Sequence, residues 1–237
     1  MTDMALRSRP PRLSLIRSGR QHLLRRPVAW PPTAEKLYAA LSMPRGCTMT
    51  LTGGRVRVDG GRDPRQLAAR LAGELPDGVR VELYDGRIVV SGVPDLRHDQ
   101  AVGAVEARLG GLAAGRDWGA QRAATVLMPR GRSYVHPDLS YVRAGAGWQG
   151  EVVLGSDLAL AVEVASPPDA EDDRDAKRLF YAEAGVSSYL LFDLDAGEAV
   201  LFDIPIDGDY QQSSRVPFGV PLPLPYGNPL ETMCDFS

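Results

Sequence analysis

The chain has 237 residues, 44% hydrophobic and 24% charged, with a formal net charge of −3, the balance of a soluble globular protein with enough chain to bury a sizeable core. No apolar run approaches the roughly 18 residues of a membrane-spanning helix, and Cys47 and Cys234 lie too far apart for a metal-ligand spacing, so the composition argues against a helical membrane protein and a cysteine-held metal domain, and for a reduced, cytoplasmic compartment. Charge is uneven: residues 1–48 carry nine Lys/Arg against Asp3 and Glu35, a net of +7, whereas residues 49–237 carry 18 basic and 28 acidic residues, a net of −10.

Residues 1–60 are rich in Pro, Gly and Arg, without a sustained period. WPP at 30–32 and GG at 53–54 and 60–61 read as linker punctuation, and GRVRVDGGR (54–62) as a loop. This segment is expected to be a basic, flexible extension able to steer nucleic acid, or a leader ahead of a start at Met43 or Met49; His22 within it carries no signal. Arginines interrupt every candidate apolar core of a secretory signal. The folded domain is expected over residues 61–237, beginning where Asp63 can cap a helix with Pro64 at its first position and Leu67, Leu71 and Leu75 on one face.

VRVEL (79–83) and RIVVSG (87–92) flank Tyr84-Asp85-Gly86, the pattern of a hairpin. Residues 98–112 space Val102, Val105, Leu109 and Leu112 as an amphipathic helix. Strands are expected over 119–128, 133–142 and 158–166. The acidic turn PPDAEDD (167–173) opens a helix running to Ala184, with Gly185 as its stop. SSYLLFDL (187–194) and EAVLFDI (198–204) form a second hairpin, and YQQSSRVPFG a last strand. The order predicts an α/β (α+β) protein, with helices flanking a mixed sheet.

The segment LAVEVASP (160–167) poses a chemical problem. Its apolar residues suit a strand covered on both faces, yet Glu163 stands in the middle, and an unpaired buried carboxylate costs several kcal/mol. The acid must be neutralised, paired or bound to a metal. Pro137-Asp138 ends another strand 25 residues earlier. If the two strands are neighbours, both carboxylates converge as hard oxygen ligands for Mg²⁺. Lys177 lies 14 residues beyond Glu163, early in the next helix, with Tyr181 on the same face. The chain has 27 basic residues, of which only Lys36 and Lys177 are lysines. A lysine here is therefore informative, because its compact charge is not interchangeable with a guanidinium.

The series VELYDGRIVVSGVPDLRHDQ, HPDLSYV and LAVEVASPPDAEDDRDAKRLFYAEAGVSSYLLFDLDAGEAVLF resembles the Uma-type restriction endonuclease family of the PD-(D/E)xK nuclease superfamily, over roughly residues 64–232. The resemblance implies a restriction-endonuclease-like PD-(D/E)xK core and Mg²⁺, with Mn²⁺ as a substitute, held by Asp138, Glu163 and the Val164 carbonyl. The usual superfamily position for the lysine, two residues after the second acid, is Ala165. The family resembles a migrated-lysine version in which Lys177 supplies the cation. Glu82 and His98 match further family positions, Glu82 for a second ion or an oriented water and His98 as a proton carrier or phosphate contact; His136 reads as structural. DNA is the substrate implied, and a homodimer is implied by analogy.

The activity implied is Mg²⁺-dependent hydrolysis of phosphodiester bonds. The alternative is a catalytically inactive nuclease fold serving nucleic-acid binding, regulation or oligomerisation. Other templates fail: the chain has no P-loop, no dinucleotide-binding glycine fingerprint, no HExxH and no GxSxG, and Ser166 lacks a His/Asp partner pattern.

Overall fold

The structure, a computed structural model, describes residues 22–128, 133–146, 152–165 and 172–232. In chain order, α1 (Ala34–Ala40) precedes the hairpin β1 (Cys47–Thr52) and β2 (Arg55–Gly60). Then come α2 (Pro64–Glu74), the hairpin β3 (Arg80–Tyr84) and β4 (Arg87–Ser91), and α3 (Leu96–Ala114). Short strands follow: β5 (Gly119–Arg122), β6 (Thr125–Leu127), β7 (Tyr134–Val135), β8 (Leu139–Val142) and β9 (Val152–Leu154). The eight-residue β10 (Leu158–Ala165) is succeeded by a π-helical stretch, Asp172–Lys177, that continues as α4 (Arg178–Glu183). β11 (Ser188–Asp193), β12 (Glu198–Ile206), β13 (Asp209–Pro217) and the small pair β14 (Leu222–Leu224) and β15 (Gly227–Leu230) complete the described chain.

The strands form mixed sheets flanked by helices. A seven-stranded sheet has the order β1-β2-β4-β3-β7-β6-β9, and a six-stranded sheet the order β13-β12-β11-β10-β8-β5. Each contains one parallel pair, β6 with β9 and β10 with β11, among antiparallel neighbours. Among the described residues no helix is long and apolar enough to cross a membrane.

β10 is the axis of the second sheet, and its alternation assigns its two faces. Leu160, Val162 and Val164 join the cluster under α3, with Val102, Val105 and Leu109. Ala161 and Ala165 join the opposite cluster, with Phe180, Tyr181 and Ala184 from α4 and its end, and Leu158 joins it too because the register shifts between Leu158 and Leu160. By the period-two rule Glu163 belongs to this second face, so the acid points toward the segment that carries Lys177. A third core lies on the seven-stranded sheet under α1 and α2, from Leu37, Leu67 and Leu71 to Val56, Val58 and Leu83.

Local chemistry sets most boundaries. The Asp63 carboxylate accepts from the Gln66 amide and Pro64 follows it at the first helical position, giving α2 its expected cap. Asp85 and Gly86 both adopt positive φ, 44° and 85°, the turn a two-residue hairpin favours.

Three differences from the sequence reading matter. First, regular structure starts well before Asp63. GRVRVDGGR is not a loop: residues 55–60 are β2, with Val56 and Val58 buried. Second, 119–128 and 133–142 are not continuous strands. Each breaks, at Ala123 (φ 50°) and at His136-Pro137, and its halves lie in different sheets. Proline removes a ladder donor and restricts the residue before it, so the second break is local in cause. Third, β9, β14 and β15 carry too few residues to show an alternation. Of the acidic turn at 167–173, residues 167–171 lie outside the described residues.

Candidate active site

The chain passes from the seven-stranded to the six-stranded sheet between β7 and β8, and Asp138 sits at that crossing. β8 runs antiparallel to β10 with Leu139 opposite Val162, and one more step of this register sets Asp138 opposite Glu163. The Val164 amide donates to Asp138 Oδ2 at 2.9 Å. Both carboxylates are buried, 3% and 1% exposed. They line a cleft of about 250 Å³ together with Val164, Glu82, His98, Lys177, Arg80 and Arg55. All six residues singled out in the sequence thus meet in one cleft.

Glu163 is paired twice. Lys177 Nζ lies 2.8 Å from its Oε1, and the Tyr181 hydroxyl donates to the same oxygen at 2.5 Å. The four-residue spacing of Lys177 and Tyr181 sets both on one side of the helical segment, as the sequence required. Lys177 is 2% exposed and also lies 3.7 Å from Glu82 Oε1. Burial, and then the neighbouring Glu163 charge, push the Tyr181 phenol well above its ordinary range. Tyr181 therefore stays protonated and donates.

Glu82 comes from β3. Its Oε1 accepts from the His136 amide at 2.9 Å and its Oε2 from the Tyr84 hydroxyl at 3.0 Å. Burial favours its neutral form, but the charges of Lys177 and Arg55 outweigh burial and bring its pKa down to about 2. Burial acts the same way on Asp138 and is again outweighed, chiefly by Arg80 and then by the His98 bond, which hold this carboxyl well below the usual range. Both acids are ionised at neutral pH. His98 Nε2 lies 3.2 Å from Asp138 Oδ2. Burial would lower the imidazole's pKa, but the Asp138 bond raises it above the ordinary value. Its Nδ1 is buried and has no hydrogen-bond partner among the described residues. His136 is held structurally, with Nε2 3.3 Å from the Val81 carbonyl, and burial lowers its pKa.

Two cleft residues escaped sequence reasoning. Arg80 Nη1 lies 2.7 Å from Asp138 Oδ1. Arg55 is 4% exposed and comes from β2, inside the segment read as a linker. The signal for Arg80 was present: in RVEL, Arg80 and Glu82 alternate with Val81 and Leu83, so two charges share one strand face. Arg55 gave no such signal, because its position depends on β2 pairing with β4, where Arg55 is opposite Ser91.

The donor set suits a hard dication. Two carboxylates, Asp138 and Glu163, face one another across neighbouring strands, with the backbone of Val164 beside them. Mg²⁺ commonly takes one or two carboxylates and keeps several waters. Among the described residues no group of three or more Asp, Glu, His or Cys side chains is placed to hold a metal ion.

A family model described as "Uma2: Putative restriction endonuclease" matches residues 66–232, well over half of the chain. A crystal structure of a protein described as a putative nuclease belonging to DUF820, from Anabaena variabilis ATCC 29413, superposes with a TM-score of 0.54 at 16% identity. The match covers 67% of this chain and 88% of that one, and at this identity it shows a shared fold. No curated protein matches the chain.

Proposed function

We propose, for a chain that belongs to the Uma2 restriction endonuclease family, that the cleft hydrolyses phosphodiester bonds of DNA with Mg²⁺ or Mn²⁺ held by Asp138, Glu163 and the Val164 carbonyl. The observation that carries this reading is the pairing of two buried, facing carboxylates with a buried lysine 2.8 Å from one of them. A bound dication would supply Lewis-acid polarisation of the phosphodiester and of the attacking water.

The chain's own groups supply the rest. The Lys177 ammonium orients the water and offsets charge as a fifth oxygen joins phosphorus. Glu163 and Glu82 hold that ammonium in place, and the Tyr181 hydroxyl fixes the Glu163 oxygen it pairs with. His98 carries a proton: the water oxygen bonds to phosphorus and gives up its proton to bulk water, one P–O ester bond breaks, and the departing oxygen takes a proton from the imidazole, which bulk water then restores. The basic residues preceding Asp63 favour an approaching polyanion, and β2, which pairs with β4 and brings Arg55 to the cleft, works as part of the same unit.

The test is cleavage of plasmid and single-stranded DNA with and without Mg²⁺ or Mn²⁺. Cleavage should require the dication and should fall by two to three orders of magnitude in Glu163→Gln, roughly the loss on removing one charge-stabilising group. Undiminished cleavage by Glu163→Gln would overturn the assignment. A second reading, nucleic-acid binding or regulation without catalysis, draws on one observation: Asp138 and Glu163 already have Arg80 and Lys177 as counter-ions. DNA binding that is indifferent to dications, with no cleavage, would favour it.

A further inference from the structure

The buried and half-buried carboxylates and cations of the cleft balance without any added ion: Asp138, Glu163 and Glu82 face Arg80, Lys177 and Arg55, while His98 adjoins Asp138 and the exposed carboxylates of Glu35 and Asp95 also line the cleft. Introducing a dication would leave this buried cluster with two excess positive charges, which a low-dielectric site does not tolerate uncompensated. Either a cation must leave or anions must enter. Lys177 is locked between Glu163 and Glu82 and is 2% exposed. Arg80 differs. It touches one cluster acid at short range, Asp138, and its side chain is 23% exposed at the cleft.

The sheet register shows where its guanidinium can go. Arg80 pairs with Ser91, and Ser91 pairs with Arg55, so the three form one row across β3, β4 and β2. Residues opposite one another in a ladder project to the same side, and all three line the cleft. This row gives the cleft a cationic wall: two guanidiniums with a hydroxyl-bearing residue between them, in the same cleft as the carboxylates. Guanidinium donors match phosphate oxygens in a planar fork.

We propose that Arg80 is a displaceable cation that couples metal binding to phosphodiester binding: it neutralises Asp138 while no dication is present, and yields Asp138 to the dication when a nucleic-acid phosphate is available on the Arg55–Ser91–Arg80 row to receive its guanidinium. This rests on the metal-dependent reading above and deepens it. The dication alone binds weakly because it must displace a buried ion pair. The phosphodiester alone binds weakly because Arg80 is occupied by Asp138. Together each pays the other's cost, and by linkage the enhancement is reciprocal. Arg55 contributes the fixed half of the row, supplied by a strand that precedes the family match.

Calorimetric titration with Mn²⁺ tests this without any turnover. In the wild type, a charged phosphorothioate-linked oligonucleotide should tighten Mn²⁺ binding, while an uncharged methylphosphonate-linked one should not. Arg80→Gln should bind Mn²⁺ alone roughly tenfold or more tightly than the wild type, because the dication no longer displaces an ion pair at Asp138, a factor within the usual span of coupling between two sites, and should lose the oligonucleotide's enhancement. Arg80→Lys retains a cation at Asp138 and should fall between them, which keeps the test available if Arg80→Gln melts early. Unchanged or weaker Mn²⁺ binding by both variants, beside clear binding by the wild type, overturns the coupling and leaves the metal site standing. No Mn²⁺ binding by the wild type, with or without oligonucleotide, overturns the metal site and the coupling together.

Discussion

Replacing Lys177 by methionine keeps a long, unbranched side chain but deletes the charge at the centre of the acidic cluster. At an effective dielectric of about 20, the attraction to Glu163 at 2.8 Å is ~6 kcal/mol and that to Glu82 at 3.7 Å is ~4.5 kcal/mol, before the cost of dehydrating the ammonium is counted. That cost offsets most of the gain in the intact protein, but the variant leaves two carboxylates buried without their common partner. Breaking a buried pair in this way costs about 3–5 kcal/mol. The loss should be largest at neutral pH. Glu82 has a folded pKa of about 2, below its unfolded value. Its contribution to wild-type stability is therefore present above the unfolded pKa and is lost as pH falls toward 2. Without Lys177 the folded pKa of Glu82 rises, that contribution shrinks, and protonation at mild acid relieves the variant. Denaturant melts at pH 7.5 and pH 5 measure both effects, and the double variant Lys177→Met/Glu163→Gln should recover part of the loss, giving the coupling directly. A Lys177→Met protein within about 0.5 kcal/mol of wild type at pH 7.5, the range of ordinary surface substitutions, would refute the reasoning.

Two further outcomes are expected. In Tyr181→Phe the Glu163 oxygen loses a 2.5 Å donor; stability should fall by about 1–3 kcal/mol, read by thermal melt, and an unchanged midpoint would count against a structural role for that hydroxyl. In Gly92→Ala the added Cβ would stand 2.5 Å from the Pro32 carbonyl oxygen, close to where the Val93 amide donates to that same oxygen at 3.2 Å. The crowding should cost about 1–3 kcal/mol and loosen the contact between the segment before α1 and the cleft wall, seen as faster limited proteolysis before Thr33.

The elements that could be read from the sequence are those whose determinants are local. α2 announces itself through Asp63 and Pro64, the β3–β4 hairpin through Asp85-Gly86, and α3 through apolar spacing. β10 was legible because eight buried residues in a row leave a run that few other elements allow. β2 was not, since Val56 and Val58 look like any short alternation until α1 and α2 cover them. The breaks at Ala123 and Pro137 were hidden for a related reason: whether a chain continues in one sheet or crosses to another depends on which edge is vacant, and pairing partners are distant in sequence.

The candidate site divides along the same line. By itself the sequence determined which residue types had to find partners: Glu163 could not be buried alone, and Lys177, in a chain that otherwise uses arginine, was the cation to watch. Those inferences follow from desolvation, which acts on a residue wherever it is buried. Only the tertiary structure decided that Asp138 stands opposite Glu163 across a sheet crossing, that Arg80 occupies Asp138, and that Arg55 reaches the same cleft from a strand ahead of the matched region. Distances between charges on separate strands are set by register and sheet order, and neither is encoded in the spacing of residues along the chain.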